Sequence, residues 1–165
     1  MSIQRVPFTS MRRVYDSYQG NTTPCRNPAI RNQCAVRMSL ALGRNGFTFE
    51  SFGHQNRIHH GRASCGLGEE PHLVGANELH LFLVNVWDAG MRGSGSEIQS
   101  RIQGLPGIVY FNNCFHRGTD EVGTNTGDHI DLWDGSRIYN EVLRVTVDGD
   151  HLFNRASFVR FFRLG

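Results

Sequence analysis

The apolar residues of this chain change their spacing near Pro106, and this change constrains the fold more than any other feature. Before it, apolar side chains recur every three to four residues, which is typical of amphipathic helices. After it, short runs of β-branched and aromatic residues predict strands. Helices followed by strands predict an α+β fold, with N-terminal helices packed on an antiparallel sheet. A length of 165 residues fits a single domain over 1–165.

The same patterns place the individual elements. Helices are predicted over residues 9–18, 32–42, 77–87 and 97–103. Strands are predicted over residues 107–111, 129–133, 137–140 and 143–147, and a closing core element over 158–162. Residues 51–71 are predicted to form a long loop, and residues 90–96 a flexible break whose Gly-Ser-Gly is a linker.

The charges and the apolar runs exclude several classes of function. All 17 basic residues are arginines, set against 15 acids, and they are dispersed along the chain. Nucleic-acid binders cluster their basic residues, so no nucleic-acid partner is expected. No run of 18 apolar residues predicts membrane insertion, and residues 1–20 lack the apolar region of a secretory signal. An acidic or peptidic substrate remains compatible, because arginine holds carboxylates in two-point contacts.

Cys34 differs from the other cysteines of the chain by its place in the first turn of a predicted helix that begins at Asn32. Unpaired backbone N–H groups and the helix dipole stabilise a thiolate there, which is the reactive form. Taken alone, the position equally suits a small buried residue. Whether Cys25, Cys65 and Cys114 form a disulfide stays open, because the sequence does not determine their pairing.

His129 is the candidate base for this thiol, because a nucleophilic cysteine needs a base that is usually remote in sequence. It opens the strand predicted over 129–133, and the alternation puts Asp131 and Trp133 on its outward face. The alternative is an ordinary surface or core histidine. The remaining histidines that lie in the predicted loop region have no ligand pattern, so neither a metal nor another cofactor is expected.

Asn140 is the candidate that orients His129. Asp134-Gly135 favours a two-residue turn, which pairs Trp133 with Ser136 and puts Asn140 directly across from the histidine. Asp131 is the alternative, since it reaches the ring along its own strand. A different turn length would change the register and remove the argument for Asn140.

Four segments resemble the fourth family of type VI secretion amidase effectors. They are NQCAVRMSLAL (32–42), GANEL (75–79), GIVYF (107–111) and GDHIDLW (127–133). The resemblance implies a papain-like, NlpC/P60-type fold, with the nucleophile at Cys34 and the base at His129. The third family position, commonly aspartate, falls on Asn140, which serves as orienter in papain-like enzymes. The disulfide that some relatives carry after the histidine has no counterpart here, because no cysteine follows His129.

The resemblance also implies a biological role. Members hydrolyse the bond between γ-D-glutamate and meso-diaminopimelate in peptidoglycan stem peptides. The type VI machinery delivers them into the periplasm of rival Gram-negative cells, which agrees with the missing signal segment. An immunity protein that occludes the active site protects sister cells.

The expected reaction is therefore amide hydrolysis by Cys34 and His129. The Cys34 backbone N–H and the Gln33 side chain are candidate oxyanion donors, and Gln33 and Asp131 are candidate substrate contacts. Two alternatives remain: a thiol acyltransferase that uses the same pair, and a non-catalytic cell-wall binding module of the same fold.

Overall fold

A computed structural model describes residues 5–18, 24–30, 32–49, 58–60, 70–139 and 149–165, with the backbone alone for 58–60, 149 and 150. The helices are α1 (Phe8–Asp16), α2 (Cys34–Gly43), α3 (Ala76–Val86), α4 (Gly95–Arg101) and α5 (Gly149–Arg155). The strands are β1 (Ile58–His60), β2 (Pro71–Leu73), β3 (Met91–Gly93), β4 (Gly107–Phe115), β5 (Gly127–Trp133) and β6 (Phe158–Arg163). None of these described helices is long and apolar enough to cross a membrane.

The main sheet has four antiparallel strands in the order β3-β6-β4-β5. The C-terminal strand β6 is therefore an inner strand, and β5 lies at an edge. The predicted core element over 158–162 is confirmed as β6. Strands β1 and β2 form a separate antiparallel pair.

Helices cover both faces of the main sheet, as the alternating side chains of β4 show. Ile108 and Tyr110 pack into an apolar cluster with residues of α1, α2 and α3. Val109 and Phe111 pack into a second cluster, with residues of α4 and α5. Because successive side chains of a strand point to opposite faces, one strand joins both clusters. The predicted helices on an antiparallel sheet are confirmed.

Helix α2 is buried along almost its whole length. Every residue from Cys34 to Leu42 is buried. Because protein interiors are close-packed, the surrounding side chains hold this helix rigidly in place. The flanking predictions for α1 and α3 agree with the structure to within one or two residues at each end. The site described below is thus built on core elements rather than on a surface loop.

Three loop or break predictions are wrong. Residues 58–60 and 71 lie in the predicted 51–71 loop, yet they form strand pairs between β1 and β2. The predicted break over 90–96 contains β3, which pairs with β6, and the linker Gly-Ser-Gly contains the helix-capping Ser94. The Ser94 side chain accepts the Glu97 N–H, so α4 begins at Gly95, two residues earlier than predicted.

The predicted strand over 137–140 is also wrong for its described residues. Trp133 makes an isolated bridge with Ile138 rather than with Ser136, and Tyr139 already has helical geometry. The cause is the Asp134 side chain, whose Oδ1 accepts the backbone N–H groups of Ser136 and Arg137 at 2.8 and 2.9 Å. The Asp134 N–H donates to Arg137 O at 3.1 Å, so the turn is centred on Gly135 and Ser136 and is shifted by one residue from the predicted one. The strand predicted over 143–147 lies outside the described residues.

Candidate active site

Cys34 is the first residue of α2, which begins two residues later than predicted, and it lies in the first turn as predicted from the sequence. Its backbone N–H donates to Asn32 Oδ1 at 3.2 Å, an arrangement in which the asparagine side chain supports the start of the helix. The thiol is 2% exposed and lines a cleft, so it is shielded from bulk water while remaining at the end of a helix dipole.

Gln33, the residue before it, holds the preceding segment in place. Its Oε1 accepts the Cys25 N–H at 3.0 Å, and its Nε2 donates to Cys25 O at 2.9 Å and to Ile30 O at 2.7 Å. Both N–H groups of the amide are thus engaged with carbonyl oxygens. This gives Gln33 a structural task and leaves its expected oxyanion role without a donor.

His129 lies in β5 opposite Phe111 of β4, and its side chain is hydrogen-bonded to Cys34. Trp133, His129 and Asp131 are all buried, so the face of β5 predicted to point outward is covered rather than exposed to solvent. Cys34 and His129 are 95 positions apart in the sequence. Their side chains are in contact because α2 packs against the edge strand β5.

The electrostatics of this contact favour a thiolate and an imidazolium. Burial raises the pKa of Cys34, but the charge of His129, its hydrogen bond and the Ile130 backbone outweigh burial, so that this pKa lies below its ordinary value. Arg37, one turn along α2, acts in the same direction. Burial lowers the pKa of His129, yet Cys34 and Asp131 raise it to about 9. These are the conditions under which a cysteine is nucleophilic at neutral pH.

Asp131 contacts the imidazole ring of His129. Its Oδ2 lies 3.4 Å from His129 Nε2, and its Oδ1 accepts the Leu132 N–H at 2.8 Å. The side chain is 1% exposed, so its charge acts on the imidazole with little screening by water. The turn argument for Asn140 is removed by the observed register, and Asn140 itself lies outside the described residues, where its role stays a prediction.

The other cysteines differ from Cys34. Cys25 is disulfide-bonded and Cys114 is a free thiol that is fully buried in the second apolar cluster. Burial raises the pKa of Cys114 to about 12, so it is protonated at neutral pH. Among the described cysteines, Cys34 is thus the one with thiolate character. Cys65 lies outside the described residues.

The cleft above Cys34 has a volume of about 550 Å³. One wall comes from the start of α3, including Asn77 and Glu78, and the other from Arg117 in the loop between β4 and β5 and Asp128 at the start of β5. A cleft of this size admits a short peptide segment. Sequence reasoning did not identify these lining residues, although Asp128 directly precedes His129.

A polar network joins the two walls of the cleft. Tyr110 OH lies 3.2 Å from Asn77 Oδ1, and Asn112 Nδ2 donates both to Tyr110 OH and to Asp128 Oδ1 at 3.1 Å. The Asn113 N–H also donates to Asp128 Oδ1 at 2.9 Å, from a residue with φ of 50° in the irregular part of β4. Left-handed backbone at a non-glycine residue is uncommon and is held here by the network.

The described residues contain no group of three or more potential metal ligands. His72 is buried in β2 and its Nδ1 contacts Glu70 O at 3.0 Å. The backbones of His59 and His60 form β1 rather than the predicted loop, and His54 lies outside the described residues.

Solved structures share this fold. The type VI effector Tae4 from Enterobacter cloacae superposes with a TM-score of 0.71 and 17% identity, over 100% of both chains. The Tae4–Tai4 effector–immunity complex from the same organism gives 0.67 and 16%, over 98% of this chain and 100% of that one. The Tae4/Tai4 effector–immunity system from Salmonella typhimurium gives 0.63 and 14%, with the same coverage. The papain-like, NlpC/P60-type fold predicted from the sequence is thereby confirmed.

No curated protein sequence matches this chain. The sequence model of the family described as type VI secretion system amidase effector protein 4 matches residues 30–162, which is well over half of the chain and includes both Cys34 and His129. The resemblance seen in the four sequence segments is therefore confirmed, and the chain belongs to the Tae4 family of type VI secretion amidase effectors.

Proposed function

We propose that this amidase effector is a cysteine peptidase in which Cys34 is the nucleophile and His129 the general base and acid. The observation that carries the proposal is the buried contact of these two side chains at the base of the cleft, with their pKa values shifted toward the ion pair. The substrate is the γ-D-glutamyl–meso-diaminopimelate bond of peptidoglycan stem peptides, as the family resemblance implies.

The reaction proceeds in two halves. Cys34 Sγ attacks the amide carbonyl carbon, and the tetrahedral intermediate collapses as His129 gives its proton to the leaving nitrogen, which breaks the C–N bond. His129 then takes a proton from water, which attacks the thioester and releases the γ-glutamyl carboxylate. The thiol–imidazole pair is restored at the end, so no external reactant other than water is consumed.

Two further groups assist this cycle, and a third is a candidate from the family resemblance. Asp131 orients the His129 ring and favours its protonated form through the 3.4 Å contact. The Cys34 N–H serves as an oxyanion donor once its bond to Asn32 is exchanged for the substrate oxygen. Asn140 occupies the position of the third family residue, and comparison of its variants with those of Asp131 tests which group the ring depends on.

The central experiment is digestion of purified sacculi, followed by mass spectrometry of the products. Cys34→Ala and His129→Gln should abolish cleavage, whereas Cys114→Ala, which removes a buried thiol that is not activated, should retain it if the protein folds. Products ending in a free γ-glutamyl carboxylate support hydrolysis. Acyl groups transferred to an amine would instead identify an acyltransferase, and full activity of folded Cys34→Ala would refute the mechanism.

Asp131 and Asn140 are compared in the same assay. If Asp131 is the group on which the ring depends, Asp131→Asn lowers kcat and moves the alkaline limb of the pH–rate profile to lower pH, because the imidazolium loses its carboxylate. Asn140→Ala then has the smaller effect on kcat. The reverse order of effects would assign the orienting role to Asn140.

We propose further that residues 1–165 act as one amidase domain. The support is that β4, β5 and β6 each contribute to the apolar clusters on both faces of one sheet. The domain acts in the periplasm of a recipient Gram-negative cell after type VI delivery, without nucleic-acid binding or membrane insertion. Expression with an added secretory signal should cause lysis, and the cytoplasmic form should not.

An immunity protein that occludes the cleft is the proposed partner in sister cells. Tae4 proteins from Enterobacter cloacae and Salmonella typhimurium form complexes with Tai4 immunity proteins. A cognate immunity protein should restore growth to cells that export this chain, and it should protect Cys34 from alkylation in the purified complex.

A further inference from the structure

The charged residues that line the cleft are two acids and one base: Glu78, Asp128 and Arg117. The acids are already engaged. Asp128 Oδ1 accepts two hydrogen bonds, as described above. The Glu78 carboxylate folds back over Gly75, where an added Cβ would lie 1.7 Å from Glu78 Oε2. Both acids are therefore held by their own wall of the cleft.

Arg117 is different, because its side chain is exposed and makes no hydrogen bond or ion pair within the described part of the chain. An unneutralised guanidinium at the edge of a reaction cleft is a ready partner for a carboxylate, which it can hold by two parallel N–H···O bonds. It is the one cation among the described residues that line this cleft.

The backbone that carries Arg117 is firmly positioned by Asp120, although it belongs to a connecting loop. Asp120 Oδ2 accepts the Arg117 N–H at 2.7 Å and the Thr126 N–H at 2.9 Å. Its Oδ1 accepts the Thr126 hydroxyl, and the Asp120 side chain is 4% exposed. The hydrogen bonds from Arg117 and Thr126 lower the pKa of Asp120 to about 2, so this support stays ionised across the working range of pH.

A γ-glutamyl bond leaves the α-carboxyl group of that residue outside the peptide chain, a few bonds from the scissile carbonyl, where it is a free carboxylate unless it is amidated. We infer that Arg117 binds this α-carboxylate and thereby selects γ-D-glutamyl stems over their amidated counterparts. The inference rests on the proposed function, because it assigns a specificity residue to the same cleft. Arg117 touches the substrate beside the reacting bond and takes no part in proton transfer.

Two synthetic stem peptides isolate this contact. One is L-Ala-γ-D-Glu-meso-diaminopimelate, and the other carries an α-carboxamide in place of the α-carboxylate. The wild-type protein should hydrolyse the carboxylate peptide with a kcat/KM about 10- to 100-fold higher, which is the range for a hydrogen-bonded charged group. Arg117→Gln should reduce that ratio to about one, mainly through KM for the carboxylate peptide.

Arg101→Gln is the matched control. Arg101 is an exposed arginine on α4, paired with Glu97 and absent from the cleft lining, so its removal changes the net charge by the same amount and should leave the ratio unchanged. Arg117→Lys provides a second variant, which keeps the charge but not the two-point geometry, and should retain a smaller preference.

The outcomes separate the inference from the proposed function. A wild-type protein that cleaves both peptides equally would overturn the inference and leave the proposed function standing, as would Arg117→Gln with the wild-type ratio. A uniform loss of activity on both peptides in folded Arg117→Gln would also overturn it, because that pattern indicates a structural effect. If the wild type cleaves neither peptide while the sacculus digest gives other products, the proposed bond is wrong.

Discussion

Replacing His129 by glutamine should convert Cys34 from a thiolate into a thiol at neutral pH. Burial is the largest influence on the pKa of Cys34 and raises it, whereas His129 supplies the charge and the side-chain hydrogen bond that bring it below its ordinary value of 9.0. Without the imidazole, burial outweighs the weaker effects of the Ile130 backbone and Arg37, so the pKa should return to 9.0 or above.

The size of the effect follows from that shift. A thiol with a pKa of 9.0 is only about 3% ionised at pH 7.5, so the thiolate population should fall to about 3% or less. Alkylation by iodoacetamide depends on the thiolate and should slow by at least an order of magnitude.

Thiolate absorbance at 240 nm measures the ionisation directly. Subtracting the titration of Cys34→Ala isolates Cys34, because Cys114 has a pKa of about 12 and Cys25 does not titrate. For His129→Gln, the titration of the double variant His129→Gln/Cys34→Ala is subtracted in the same way. An unchanged midpoint in folded His129→Gln would refute the electrostatic account of the site.

Three further results are expected. Activity should fall above pH 9, because the pKa of His129 is raised to about 9 and the imidazolium must be present. It should also fall below the lowered pKa of Cys34, where the thiolate is lost. A profile of kcat/KM that does not change with pH would contradict this. Burial lowers the pKa of His80 to about 4, below its unfolded value of 6.5, so the folded state should become less stable as the pH falls. Between pH 7 and pH 5, the free energy of unfolding measured in urea should decrease by about 2 kcal/mol more for the wild type than for His80→Phe. Equal decreases for the two proteins would refute this. Gly95→Ala should destabilise the fold by about 3 kcal/mol or more, because its Cβ would lie 1.7 Å from a backbone oxygen of α5. Gly118→Ala, whose Cβ would lie in open space, should change the free energy of unfolding by less than about 0.5 kcal/mol. Similar changes for the two variants would contradict this.

Local sequence signals predicted the parts of the site whose geometry is local. The apolar pattern after Asn32 predicted α2, and hence the thiol at a helix start. The alternation around His129 predicted β5. Their contact could be expected only through the general need of a cysteine for a base, since the packing of α2 against an edge strand is a long-range property.

The errors came from competition between local and distant partners. Asp134-Gly135 favours a two-residue turn by dipeptide preference, but the aspartate side chain accepts two backbone N–H groups and the turn is centred on Gly135 and Ser136 instead. Met91 and Gly93 carry no strand signal of their own, and they pair because β6 offers an edge. The left-handed Asn113 has no sequence signature, so the network that holds Asp128 was not foreseeable.

The inner position of β6 has a consequence for synthesis on the ribosome. β6 lies between β3 and β4 and supplies Val159 and Phe161 to the second apolar cluster, yet it emerges after every other described strand. Until it does, β3 has no partner among the described strands and one edge of β4 is open, so the sheet that carries His129 is incomplete. The pairing of β4 with β6, which backs the strand opposite His129, therefore forms only after Phe158–Arg163 has been synthesised.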